Sequence, residues 1–94
     1  MHLQFEWDES KSATNLYKHG VSFEESSTVF GDPRSLTIYD EEHSTQEDRY
    51  IDIGLSTSGR VLVVVYTERD QSIRIISCRK ATLTERRQYE QQDT

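Results

Sequence analysis

The stretch Val61-Leu62-Val63-Val64-Val65-Tyr66 decides how this chain folds, together with the turn Thr57-Ser58-Gly59 before it and Glu68-Arg69-Asp70-Gln71 after it. A β-branched run without polar alternation reads as a strand covered on both faces, and such a strand belongs in the middle of a sheet. Its neighbours are legible too. Leu36 and Ile38, then Ile51, Ile53 and Leu55, then Ile73 and Ile75 each recur with the period of a strand that buries one face. A polar stretch from Asp40 to Asp48 separates the first two and reads as a loop or exposed edge.

Toward the N-terminus, Leu3, Phe5 and Trp7 alternate with Gln4 and Glu6, which predicts a short first strand. Asp8 suits the N-cap of a helix running to about His19, with Ala13, Leu16 and Tyr17 as its inward stripe and Gly20 ending it in the left-handed conformation. Lys18 and His19 fit the negative end of that helix. Ser22 and Glu25 have capping-box spacing, Phe23 and Phe30 line a short second helix, and Gly31-Asp32-Pro33 stops it. Thr82 and Glu85 repeat the box at the start of a helix reaching about Gln91. The predicted order is β-α-α-β-β-β-β-α. This is an α+β fold: a mainly antiparallel sheet with helices packed on one face, leaving the other to a substrate. Phe5, Trp7, Phe23 and Phe30 are expected in the core.

Ninety-four residues suffice for one core, so 1–94 is expected to form a single domain. Hydrophobic residues make up 33% and mean hydropathy is -0.80, so the stability margin is thin and a protein partner covering an apolar face would add to it. The start carries no basic segment leading into an apolar one, and no apolar run is long enough to span a bilayer; a cytoplasmic protein without a membrane partner is expected. Lone Cys78 excludes an internal disulfide, and no Cys/His spacing matches zinc, so neither metal nor other cofactor is expected. Formal net charge is -6, yet it is unevenly spread. Residues 1–59 hold four Lys/Arg against twelve Asp/Glu, and residues 60–90 hold seven against four. A basic half beside an acidic half fits one face for RNA and one for a basic partner, and equally a solvated surface.

Five segments resemble the BrnT family of ribonuclease toxins: FEWDESK (Phe5 to Lys11), NLYKHGVSFEE (Asn15 to Glu25), VFGDP (Val29 to Pro33), HSTQEDRYIDIG (His43 to Gly54) and IRIISCRKATLTERRQYE (Ile73 to Glu90). The resemblance lies in their order and spacing. It implies a RelE-like fold, RNA cleavage without a bound metal, and neutralisation by a BrnA-type antitoxin. That antitoxin would carry a ribbon-helix-helix element, contact operator DNA on behalf of the complex, and by dimerising bring two toxins and two antitoxins together.

Metal-free RNA cleavage needs a base for the 2'-hydroxyl proton, cations for the charge on the phosphorane, and a proton for the leaving oxygen. His43 or Glu47 supplies the base; Glu47 and Arg49 share strand parity, and also read as a cross-strand ion pair. Arg69, Arg74 and Arg79 are expected to hold the phosphate, with Lys80 and Tyr66 as further RNA contacts. Arg86 and Arg87 read as surface residues. The rival reading is a non-catalytic protein that binds an antitoxin and adjusts its DNA affinity.

Overall fold

The valine run lies where its composition requires. In the computed structural model, which describes residues 3–92, it forms most of β4 (Val61–Arg69), the middle strand of a five-stranded sheet ordered β1-β5-β4-β3-β2. The others are β1 (Gln4–Glu6), β2 (Leu36–Tyr39), β3 (Arg49–Leu55) and β5 (Ser72–Lys80). Strands β2 to β5 pair antiparallel, whereas β1 joins the edge of β5 in parallel. Three helices, α1 (Glu9–His19), α2 (Phe23–Ser27) and α3 (Leu83–Gln91), complete the mixed α+β architecture. A 3-10 turn (Thr28–Gly31) follows α2 and holds Phe30, which the sequence had suggested for the helix itself. Gly54 admits this turn onto β3, because a Cβ there would stand 2.7 Å from Val29 Cγ1.

The alternation along β4 divides the apolar residues between two clusters. Leu62, Val64 and Tyr66 join Val21, Phe23, Val29, Ile73, Ile75 and Cys78 beneath α1 and α2. Val63, pointing the other way, packs with Ile53 and Tyr89. The helices therefore do not gather on one face. Tyr89 is the buried residue of α3, and seating it on Val63 and Ile53 takes that helix to the opposite side of the sheet. Only the far end of this second face stays open.

Helix α1 has the predicted ends and a different inward face. Asp8 Oδ1 accepts from the Ser10 and Lys11 amides at 2.9 and 3.2 Å, and Gly20 sits at φ 71°. Ser12 and Asn15 are its buried residues; Ala13 is exposed, and Leu16 and Tyr17 are 51% and 92% exposed. The reason is polar. Strand β1 pairs only with Ser72 to Arg74, so the rest of that β5 edge needs partners. Asn15 supplies them, its Nδ2 donating to the carbonyls of Cys78 and Val21 at 2.9 and 2.8 Å and its Oδ1 accepting from the Cys78 amide at 3.2 Å.

The two capping boxes also separate. At α3 the Thr82–Glu85 box is complete. At α2, Ser22 Oγ accepts from the Glu25 amide at 3.0 Å, but the Glu25 carboxylate accepts from Ser56 Oγ at 2.8 Å and Arg60 Nε at 3.0 Å instead. That pairing ties α2 to the β3–β4 turn. Among the described residues no helix is long and apolar enough to cross a membrane.

Candidate active site

Strand register builds one row of side chains across four strands. Arg49 of β3 is opposite Thr67 of β4, Thr67 is opposite Arg74 of β5, and Arg74 is opposite Glu6 of β1. Cross-strand partners share a face, and Arg69, two residues beyond Thr67, projects to the same side. This is the face that α3 covers at its other end, around Ile53 and Val63. Side chains of Arg69 and Arg74 are 48% and 32% exposed here.

Carboxylates flank the cations. Arg69 Nη2 donates to Glu47 Oε1 at 3.3 Å, and Glu6 Oε1 lies 3.7 Å from both Arg69 Nη1 and Arg74 Nη1. Ser44 pins the base of the loop that brings Glu47 in: its Oγ accepts from the Arg49 amide at 2.9 Å and donates to the Asp40 carbonyl at 2.5 Å. Long, partly exposed pairs of this kind contribute little stability and yield readily to a competing anion. Arg49 and Arg74 stand two strands apart, about 10 Å between backbones, so both guanidinium groups can reach one phosphate between them.

The remaining predicted residues lie elsewhere. His43 Nδ1 is held by Asp40 Oδ2 at 3.0 Å in the β2–β3 loop, and its side chain is 59% exposed; among the described residues it makes no hydrogen bond or ion pair with Glu47, Arg49, Arg69 or Arg74. Tyr66, expected as an RNA contact, is 4% exposed and faces the larger core. Its hydroxyl donates to buried Asp52 at 2.9 Å, its ring stacks on Tyr50, and burial pushes its phenol well above the ordinary range. No base can stack on it. Lys80 is opposite Leu62 and so leaves the sheet on the helix-covered side of α1 and α2, away from the arginine row.

Arg79 shares the arginine face but lies well along β5 from Arg74 and is already engaged. Its Nη1 and Nη2 donate to the two oxygens of Glu85 at 2.7 and 2.8 Å, fastening the start of α3 to the strand. The Arg79 guanidinium holds the Glu85 carboxyl down at about 2, against an ordinary 4.5. A depressed folded-state value contributes stability that is whole above 4.5 and is lost as pH falls from there through 2. Melting followed from pH 5 downward is therefore expected to fall more steeply for the natural chain than for Glu85→Gln. Parallel curves would show that the pair contributes nothing.

A family model described as "Ribonuclease toxin, BrnT, of type II toxin-antitoxin system" matches residues 7–85. The chain belongs to this family. The crystal structure of the Brucella abortus ribonuclease toxin BrnT superposes on this BrnT-family chain with a TM-score of 0.68 and 23% identity, covering 86% of this chain and 99% of that one. At that identity the likeness is one of fold. Among curated proteins none matches.

Two residues of the candidate site in this BrnT-family chain escaped sequence reading. Thr67 has the parity of Arg69, but its seat between Arg49 and Arg74 exists only once three strands are in register. Glu6 reads as the outward residue of an edge strand, and only the parallel pairing of β1 with β5 sets it beside Arg74.

Proposed function

We propose that this chain is a metal-independent endoribonuclease toxin whose site is the arginine row on the open end of the sheet. Glu47 takes the proton from an RNA 2'-hydroxyl. The freed oxygen attacks the adjacent phosphorus, the bond from phosphorus to the 5'-oxygen breaks, and that oxygen takes a proton from solvent. Arg49, Arg69 and Arg74 stabilise the negative charge that gathers on the phosphorane, in the place a metal ion holds in other nucleases. Glu47 is preferred to His43 as the base because it already touches Arg69, whereas His43 is turned to Asp40. Arg79 serves the site indirectly, through the seating of α3.

The observation that carries this reading is the convergence of Arg49, Arg69 and Arg74 on one face with Glu47 beside them. The fold is read as RelE-like and the protein as cytoplasmic. Its neutralising partner is read as a BrnA-type antitoxin that supplies a ribbon-helix-helix DNA-reading element, with two copies of each chain in the complex. Purified protein incubated with single-stranded RNA in EDTA is expected to yield fragments ending in 2',3'-cyclic phosphate. Intact RNA after incubation with correctly folded protein would overturn the mechanism.

A further inference from the structure

Thr67 is 0% exposed, and among the described residues its Oγ1 is the one buried side-chain oxygen or nitrogen without a hydrogen-bond partner. Burying an unpaired hydroxyl is unfavourable, and folded proteins satisfy nearly all such groups. The position of this one gives it a meaning. It lies in the middle of the row, with Arg49 on one side and Arg74 on the other, and Arg69 two residues farther along its own strand. Guanidinium groups only donate hydrogen bonds, so none can take the threonine proton. The carboxylates nearby are occupied at the flanks, Glu47 on Arg69 and Glu6 between Arg69 and Arg74. What the row lacks is an acceptor with enough oxygens to serve two guanidiniums and a hydroxyl together. A tetrahedral phosphodiester has that shape and charge, whereas a planar carboxylate offers two oxygens in one plane.

We propose that Thr67 donates its hydroxyl to a non-bridging oxygen of an RNA phosphodiester seated between Arg49 and Arg74, and so fixes that phosphate relative to Glu47. This rests on the reading of the same face as an RNA site. Thr67 is screened from solvent in the free protein, so the anion reaches it as Arg69 and Arg74 turn from Glu47 and Glu6 to phosphate. The pairs to be exchanged are the loose ones, at 3.3 and 3.7 Å. A buried neutral hydroxyl at this point adds direction to a site whose cations alone would attract any phosphate along the strand.

The test compares the natural chain with Thr67→Val and Thr67→Ser. Affinity is measured with a single-stranded RNA made uncleavable by 2'-O-methylation, and kcat/KM with the unmodified RNA. Valine keeps the shape and removes the hydroxyl, so its melting midpoint is expected to stay level or rise, while probe affinity and kcat/KM each fall by roughly tenfold or more. Serine is expected to restore most of both. A purely structural threonine would instead show a lower midpoint with affinity kept. Should the valine variant fail to fold by circular dichroism, Thr67→Ala replaces it in the same comparison. Unchanged probe affinity in a folded variant lacking the hydroxyl overturns the proposal. If the natural chain leaves unmodified RNA intact, the nuclease reading falls, and the affinity comparison alone then decides for or against Thr67 as a phosphate contact.

Discussion

Alanine at both Arg69 and Arg74 is expected to lower kcat/KM for RNA cleavage by roughly 10³-fold while the protein remains folded. The size follows from what the two groups do in the proposed reaction. Each donates to charge that grows as the phosphorane forms, and losing a single donor of that kind costs about 10²- to 10³-fold. The two losses are not expected to multiply, because both act on the same phosphate. Stability is expected to change little: the side chains are 48% and 32% exposed, and their partner Glu6 is 41% exposed, so no buried charge is left behind. Arg74→Lys should recover only part of the loss, since an ammonium cannot make the bidentate contact. Affinity for uncleavable RNA should also become less sensitive to salt, by about 0.7 in the log-log slope for each phosphate contact removed. Arg87→Ala, on exposed α3, serves as the surface control. A double variant within tenfold of the natural chain would take both arginines out of the mechanism.

How far the sequence discloses such a site depends on whether each feature is local. The covered strand at Val61 to Tyr66, the Asp8 cap, the left-handed Gly20 and the Thr82–Glu85 box are all set by neighbours within a few positions, and all appear in the structure. The inward face of α1 is different. Asn15 faces the sheet because an unpaired stretch of β5 needs hydrogen-bond partners, and Ser12 is buried where its hydroxyl accepts from the Phe23 amide at 3.3 Å; an apolar period cannot register either demand. Tyr66 fails as an RNA contact for a reason parity alone could have given: it alternates with Val65 and Thr67, and shares its face with Leu62 and Val64. Arg74 and Arg79 look alike in sequence, both basic and both on β5. Only the second meets Glu85, because α3 crosses to that face on the strength of Tyr89. The sequence thus discloses which residues carry charge, and the register decides which of those charges converge.

Glu47→Gln is expected to lower kcat by about 10²- to 10⁴-fold while affinity for uncleavable RNA holds or improves. The opposite movement of the two quantities is what distinguishes a base from a binding group. Glutamine keeps the size of the side chain and one oxygen that Arg69 can still donate to, so the β2–β3 loop has no reason to move; that loop is held by Ser44 on Asp40 and Arg49, not by Glu47. What is lost is the ability to take a proton. Removing a negative charge 3.3 Å from Arg69 also leaves that cation freer for phosphate, hence the sign of the affinity change. Single-turnover cleavage gives the chemical step and anisotropy with 2'-O-methyl RNA gives the binding. A fall in affinity equal to the fall in kcat/KM, with kcat unaltered, would make Glu47 a support for the arginines and nothing more. The reverse pattern across two positions is equally informative: an active Glu47→Gln beside an inactive, folded His43→Gln transfers the base to the loop histidine. In that case His43 must leave Asp40 to reach the phosphate, since in the free protein its ring is turned to that carboxylate and not to the arginine row.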